Sequence, residues 1–356
     1  MEKKKEIGFH YCAMPMIPAP MRPANVGPER WAMVLWLSKK WLNGTVLKYW
    51  FFDKPKEWTT TEAEKDIVRA AFKVWKDVGI GIEFKEVDSI SDSDIRISFF
   101  RDNRTWSGLG RDIRDVFGKN ENTMNFGWDL IHDDAKGIDT AVHEIGHTLA
   151  APHEHQNPYS GIEWNEKAVM DDLSGPPNHW SPEMIRHNIL NQLNKEEVMG
   201  SNWDPDSIMH YPFKAGLILK PDKYKTAPLI PAGGLSALDK EWIKKTYPPQ
   251  SSSDFVKLEL MKSYKLTIGP GEDKTFVFEP KYSRVYNLGT FGNSDTLIAL
   301  YEDQGAIEPR YMQGDDDSGT DLNAKIIAKL EKKHKYLLRV KLYWQDRSGE
   351  TAVMIW

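Results

Sequence analysis

Eleven residues in the middle of the chain, 143–153, constrain most strongly what this sequence can fold into. They read His-Glu-Ile-Gly-His-Thr-Leu-Ala-Ala-Pro-His. On a helix, His143 and His147 project from one face, one turn apart, which suits two nitrogen ligands on a single zinc ion. A straight helix would carry His153 past the metal, so the chain must turn back after about Leu149. Three neutral imidazoles leave one position of a tetrahedral zinc site for water, as in catalytic sites.

Glu144 stands beside the first histidine, where a carboxylate can take a proton from metal-bound water. A bare His-Glu-x-x-His also occurs by chance on ordinary surface helices, and the third histidine removes most of that doubt. A second element, Ser-Ile-Met-His-Tyr, follows at residues 207–211. Together the two elements resemble the metzincin zinc peptidases, whose long motif HExxHxxGxxH precedes a methionine turn beneath the metal. The second element resembles the astacin-type version of that turn.

The resemblance implies a role for each residue around the motifs. Tyr211 would ligate the resting zinc, swing away on substrate binding and donate to the tetrahedral intermediate; core packing is the alternative. Met209 would lie under the histidines as a hydrophobic floor and not as a ligand. Glu154 matches the astacin glutamate that holds the new N-terminus of the processed enzyme, with a hydrogen-bonded loop glutamate as the alternative. His155 and His210 are expected to support the site by hydrogen bonds.

One position departs from the family pattern. The glycine that normally stands three residues after the second histidine is Ala150 here. That glycine usually serves a turn with positive φ, where alanine costs roughly 1 kcal/mol or more. The sequence therefore predicts either strain at Ala150 or a turn made differently, with help from Pro152. All three zinc ligands remain.

Length and charge bound the classes of function. The chain has 356 residues, enough for two domains, and its net charge of -5 offers no electrostatic footprint for nucleic acid. No apolar run approaches the ~20 residues of a membrane span. The N-terminus carries lysines but no apolar signal segment. The resemblance implies a secreted protein, whereas this N-terminus shows no signal segment. A removed leader, secretion without a leader and a cytoplasmic location therefore all stay open.

Residues 1–41 form an N-terminal segment rich in Pro and Met, in which proline disfavours helix and central strand. A disordered tail, a strap over the surface and an inhibitory pro-segment all fit this composition. Cys12 is the only cysteine, so no intrachain disulfide can form. A thiolate is a good zinc ligand, so Cys12 is a candidate to cap the metal and displace its water in a latent form. A buried or idle thiol is the alternative.

Residues 42–248 are predicted to form an α+β metzincin catalytic domain, a twisted, mostly parallel sheet with an active-site helix. Strands are expected at 45–52, 82–87, 94–100 and 123–126, and the resemblance makes the last of them the edge that pairs with substrate. Helices are expected after a capping box at 61–64, from near Ile138, at 182–193 with Ser181 as N-cap, and at 235–247 with Ser236 as N-cap. The first helix is predicted to bury one face: Ile67, Ala71, Val74, Trp75 and Val78.

A polar linker is predicted at residues 249–254, and residues 255–356 change character. Short alternating runs at 263–268, 274–278, 297–301, 325–330 and 336–342 predict an all-β sandwich. The runs at 295–301, 315–319 and 336–340 resemble the pre-peptidase C-terminal (PPC) domain of secreted bacterial peptidases. Asp315, Asp316 and Asp317 are candidate calcium ligands, with a solvated acidic turn as the alternative.

The sequence thus predicts a zinc-dependent endopeptidase that acts on protein or peptide substrates and holds one Zn²⁺, with Ca²⁺ as a candidate second ion. Two alternatives stay open: a binding protein on a catalytically silent peptidase fold, and a zinc exopeptidase or amidase. A cleft open at both ends favours the endopeptidase, whereas a blocked cleft favours exo-acting chemistry. A monomer is expected. Cleavage preference and the role of the C-terminal domain are not readable from the sequence.

Overall fold

The computed structural model describes residues 9–18, 39–41, 43–132, 137–193, 202–249, 255–305, 309–344 and 347–356. Most of the predicted linker and most of the N-terminal segment lie outside these residues. The described residues group into two compact units. The first unit takes 9–18, 46–132, 137–193 and 202–243, and the second takes 39–41, 43–45 and the described residues from 244 onward.

The first unit contains a five-stranded sheet with helices before and after it. Its strands are β1 Val46–Phe51, β2 Glu83–Glu86, β3 Ile95–Ser98, β4 Trp106–Ser107 and β5 Met124–Asn125. The helices that accompany them are α1 Glu62–Asp77, α2 Asp112–Asp115 and α3 Gly137–Thr148. The second half adds β6 Glu163–Trp164, α4 Glu166–Ser174, α5 Pro182–Ile185, β7 Ile218–Lys220 and α6 Ala237–Thr246.

The sheet is mostly parallel, which confirms the predicted α+β fold class. Its strand order is β2-β1-β3-β5-β4. Strand β1 pairs in parallel with β2 and β3, and β3 pairs in parallel with β5. Only β4 runs antiparallel, against β5.

The edge strand differs from the sequence prediction. Strand β5, inside the predicted range 123–126, lies between β3 and β4 and is not an edge. The edge is β4, because the chain after β3 returns on the outer side of β5 and pairs Trp106 with Asn125. A strand of two residues is too short to show an alternating pattern, so sequence periodicity does not reveal β4.

Helix α1 packs against the active-site helix α3. Thr61 caps it by accepting a hydrogen bond from the Glu64 N–H, as the capping box predicts. The Trp75 indole N–H donates to the Val142 carbonyl at 2.8 Å and ties α1 to α3. Two residues of the predicted apolar face, Ala71 and Trp75, are buried as expected. Ile67, Val74 and Val78 are only partly buried, and Val68 and Phe72 are buried instead.

The later helices are close to their predicted bounds. Ser181 caps α5, which continues as one π-helical turn, Arg186–Leu190, and so ends three residues before the predicted 193. The Ser236 hydroxyl accepts from the Asp239 N–H at 2.9 Å at the start of α6. Among the described helices, none is both long and apolar enough to cross a membrane.

The second unit is a β-sandwich, as predicted. One sheet has the order β13-β12-β15-β10-β8 and the other β14-β11-β16-β9. A shared core fills the space between them, with Phe276, Leu300 and Leu338 from one sheet and Leu288 and Val353 from the other. The strands are β8 Val256–Lys257, β9 Tyr264–Ile268, β10 Asp273–Phe278, β11 Arg284–Phe291, β12 Thr296–Asp303, β13 Arg310–Asp315, β14 Lys325–Leu330, β15 Lys335–Leu342 and β16 Gly349–Ile355.

Candidate metal centre and active site

Helix α3 delivers the first two histidines and the glutamate to one buried place. His143, Glu144 and His147 are all buried, and the two imidazole rings have centroids 4.7 Å apart. Each ring is oriented by a backbone carbonyl. The His143 Nδ1–H donates to Ile208 O at 2.7 Å, and the His147 Nδ1–H donates to Ala151 O at 2.8 Å. Both Nε2 lone pairs are therefore directed away from these bonds, as metal ligation requires.

The turn after α3 is a Schellman motif built on Ala150. Ala150 has a φ of 65° and is buried. Its N–H donates to His147 O at 2.8 Å, and the Ala151 N–H donates to Gly146 O at 3.0 Å, which is the bond pattern of this helix ending. Alanine thus takes the left-handed conformation that usually needs glycine. The turn reverses the chain and brings His153 back to the helix.

The strain at Ala150 makes a testable prediction. Ala150→Gly should raise the free energy of unfolding by about 0.5 kcal/mol, because relief of about 1 kcal/mol of left-handed strain outweighs the entropy glycine adds to the unfolded chain. Ala151→Gly is the matched control, since Ala151 is also buried but lacks positive φ. The free energy of unfolding of Ala151→Gly should fall by about 1 kcal/mol. Urea unfolding of the full chain measures both, and equal destabilisation by the two variants would contradict strain at Ala150.

Four buried side chains converge on one point. Ligand atoms of Cys12, His143, His147 and His153 all lie within 4.8 Å of one another. The Nε2 atoms of His147 and His153 are 3.0 Å apart, and the buried Nε2 of His143 has no hydrogen-bond partner among the described residues. Three imidazole nitrogens and one thiol sulfur are the donor set of a tetrahedral zinc site. The residues present therefore fit a zinc ion.

Burial sets the charge of these groups. Burial lowers the pKa of His143 to about 4, and it lowers the pKa of both His147 and His153 well below the usual value. The imidazoles are thus neutral, which is the form that binds a metal. Burial raises the pKa of Glu144 to about 8. A divalent cation beside this carboxyl has the opposite effect and favours its ionised form.

The methionine turn forms the floor under the helix. Met209 is buried, and a Cβ placed on Gly146 would collide with the Met209 sulfur. Glycine at position 146 therefore lets the Met209 side chain lie directly against α3. The turn is anchored by Asp239 of α6, whose carboxylate accepts from the Ser207 hydroxyl at 2.6 Å and from the Ile208 N–H at 2.8 Å. Sequence reasoning missed Asp239 and Gly146; a glycine inside the predicted active-site helix was the only signal for either.

Cys12 and Tyr211 lie beside the three histidines and make hydrogen bonds at the site. The Cys12 Sγ donates to the Glu144 carboxylate at 3.5 Å. The Tyr211 hydroxyl donates to the Cys12 carbonyl at 2.6 Å and lies 2.5 Å from His153 Nε2. Burial, and then the Glu144 charge, raise the pKa of the Cys12 thiol. The structure thus brings both of these predicted site residues to the three histidines.

The neighbouring polar residues make hydrogen bonds around the centre. Glu154 Oε1 accepts from the Asn157 side chain at 3.0 Å and from the Asp204 N–H at 2.9 Å, so in this form it is a hydrogen-bonded loop glutamate. Burial raises its pKa to about 7. The His155 Nε2–H donates to the Asn188 carbonyl, and the His210 Nδ1–H donates to the Tyr211 carbonyl, both at 2.8 Å.

The Asp315 carboxylate in the acidic turn of the second unit makes protein contacts. Asp315 accepts from the Ser318 N–H and hydroxyl and from the Lys325 N–H. Asp316 is buried and Asp317 half-buried. Within the described part of the chain, the only convergent group of three or more His, Cys, Asp or Glu side chains is the one at Cys12. Calcium binding at 315–317 stays a prediction.

Fold and site together define a zinc metallopeptidase. The family model for Astacin, a peptidase family, matches residues 35–247. The chain therefore belongs to the astacin family.

Several known proteins are similar to parts of this chain. A structure of myroilysin is 30% identical, covers 60% of this chain and 98% of its own, and has a TM-score of 0.53. Metalloendoproteinase 1-MMP of Arabidopsis thaliana is 28% identical over 148 residues, which is 35% of this chain and 40% of that protein. The chain thus spans less than half the length of that curated relative. The pre-peptidase C-terminal domain of a Bacillus anthracis collagenase is 16% identical, covers 30% of this chain and 99% of its own, and has a TM-score of 0.24.

Proposed function

We propose that the chain is a zinc endopeptidase with Glu144 as its proton carrier, and that the form described is latent because Cys12 closes the metal centre. One observation carries the proposal: three neutral, buried imidazoles converge beside a buried carboxylate on the same helix. Structural zinc sites have four protein ligands, and without Cys12 this one has three. Membership of a peptidase family supports protein or peptide substrates.

His143, His147 and His153 would hold the ion. When bound, Zn²⁺ supplies Lewis-acid polarisation and lowers the pKa of an adjacent water. Glu144 accepts the proton of the attacking water and returns it to the leaving amine, so one residue serves as base and then acid. Its burial strengthens both transfers, because little solvent competes for the carboxylate.

Tyr211 is proposed to stabilise the oxyanion. Its hydroxyl donates to the Cys12 carbonyl at 2.6 Å, so it already serves a peptide carbonyl beside the metal centre. A substrate carbonyl at that position would receive the same hydrogen bond, which strengthens as negative charge develops. Burial by Tyr11 and Phe213 holds the ring in place, with centroids 5.2 and 6.1 Å from that of Tyr211.

Latency follows from where the Cys12 sulfur lies. It is within 4.8 Å of all three imidazole ligand atoms and 3.5 Å from Glu144. An attacking water would need this same position beside the three histidines and the Glu144 carboxylate. The thiol and the water therefore exclude each other.

The course of residues 9–18 favours endo- over exo-acting chemistry. On one flank of Cys12 the Tyr11 N–H donates to the Asn178 side-chain oxygen at 3.3 Å, and on the other the Ala13 N–H donates to Thr105 O at 2.8 Å beside the edge strand β4. The cleft thus accepts polypeptide on both sides of the metal centre. A cleft closed at one end would not admit such a segment.

Metal removal tests the proposal. The full chain should carry one zinc ion, and chelation should lower its melting temperature by about 10 °C, because a ligand present at roughly 1,000 times its Kd stabilises by about 4 kcal/mol. Zinc should restore the value and magnesium should not. Metal analysis and thermal melts measure this. A chain that purifies without zinc and melts unchanged in chelator would contradict the proposal.

A further inference from the structure

A pocket beside the metal centre is filled by Tyr11, the residue before the metal-closing cysteine. Its side chain is buried, with the ring centroid 6.1 Å from that of Trp180, 5.2 Å from Tyr211 and 5.8 Å from Phe213. Three aromatic walls thus enclose one aromatic ring. Such arrangements favour aromatic occupants, since offset and edge-on ring pairs add to the apolar area buried.

Hydrogen bonds hold the backbone around Tyr11 in the way that proteins bind an extended peptide. The Tyr11 N–H donates to the Asn178 side-chain oxygen at 3.3 Å, and the Asn178 amide donates to Phe9 O at 3.0 Å. On the other side, Cys12 bridges to Thr105 at the sheet edge. Proteins usually recognise an extended peptide by main-chain hydrogen bonds at a sheet edge together with pockets for its side chains.

The charge of one carboxylate acts on the Tyr11 phenol. Asp172 of α4 supplies this charge and forms an ion pair with Lys214 at 2.6 Å. The buried Tyr11 hydroxyl has no hydrogen-bond partner among the described residues. Burial, and then the Asp172 charge, raise the pKa of this phenol. Tyr11 therefore has aromatic walls around its ring and a carboxylate whose charge acts on its phenol.

We infer that this pocket selects the substrate, and that the active enzyme prefers peptides with an aromatic residue, tyrosine above all, directly beside the scissile bond. The inference rests on the proposed peptidase function. Tyr11 occupies the position that such a residue takes, and thereby competes with it. Asp172 favours tyrosine over phenylalanine because its negative charge attracts the dipole of the phenol O–H group.

Peptide pairs test the preference. The full chain carrying Cys12→Ala and Tyr11→Ala opens both the metal centre and the pocket. Quenched fluorescent peptides carry Tyr, Phe or Ala on either side of one scissile bond, and casein serves as a general substrate. We expect kcat/KM for Tyr and Phe to exceed that for Ala by at least about tenfold on one of the two sides.

The outcomes separate the two proposals. Casein hydrolysis with equal rates for all three peptides overturns the aromatic pocket and leaves the peptidase function standing. No hydrolysis of casein by a zinc-loaded, folded variant overturns the peptidase function and the pocket with it. As a check on Tyr11 itself, Cys12→Ala alone should show a higher KM for the Tyr peptide than the double variant, because Tyr11 still competes.

A second variant tests the role of the Asp172 carboxylate. Asp172→Asn, made in the double-variant background, should lower the ratio of Tyr to Phe hydrolysis severalfold. Asp171→Asn is the matched control, an exposed neighbour on the same helix that pairs with Lys167. A Tyr-to-Phe ratio that Asp172→Asn leaves unchanged removes this carboxylate, and the preference for tyrosine over phenylalanine, from the inference.

Discussion

Cys12→Ala should raise the peptidase activity of the full chain by at least about tenfold, a change of about 1.4 kcal/mol in the balance of closed and open forms. The thiol is the one group in the described part of the chain that both contacts Glu144, at 3.5 Å, and lies within ligand distance of the three histidines. Alanine removes the sulfur and leaves room for water. Initial rates on casein with equal zinc loading measure the change.

The increase should stay below full activation. Tyr11 still fills its pocket, and Ala13 still bonds to Thr105 at the sheet edge, so the segment continues to compete with substrate. Met16→Ala is the control, since it shortens an exposed side chain of the same segment. If Cys12→Ala hydrolyses casein no faster than Met16→Ala, the thiol does not cause latency.

Local chemistry explains what the sequence predicted well. The active-site helix and the caps at Thr61 and Ser236 depend on residues within one turn of each other, and these signals are readable without the fold. The choice of left-handed backbone at Ala150 was one of two outcomes that the sequence left open. The chain must reverse within a few residues after the helix to bring His153 to the other histidines. This requirement of the fold holds Ala150 in the strained left-handed conformation.

Distance along the chain explains what the sequence did not disclose. Asp239 holds the methionine turn through Ser207, 32 residues earlier, and no spacing rule connects them. Tyr11 meets Asn178 across 167 residues. The edge strand β4 is likewise defined only by its pairing with β5. Such contacts are set by how the elements pack, so a pattern confined to one element cannot reveal them.

The second large effect concerns the glutamate of the active-site helix. In the Cys12→Ala background, Glu144→Gln should lower kcat by about 10²- to 10⁴-fold, the range expected when a general base is removed. Glutamine has nearly the same shape but accepts no proton, so KM should change little. Zinc should be retained, since the ligand atoms that converge belong to the three histidines and not to Glu144. Steady-state kinetics and metal analysis on the same samples check both statements.

A matched control separates chemistry from loss of charge. Glu163→Gln removes one carboxylate from an exposed ion pair with Lys220 and should leave kcat within about twofold, because exposed pairs contribute little. The contrast is decisive because both substitutions remove one unit of negative charge, and only Glu144 is buried next to the metal centre. If zinc-loaded Glu144→Gln keeps more than about a tenth of the parent rate, another group carries the proton. The buried carboxyl would then serve to orient the helix, and the open fourth ligand position alone would account for hydrolysis.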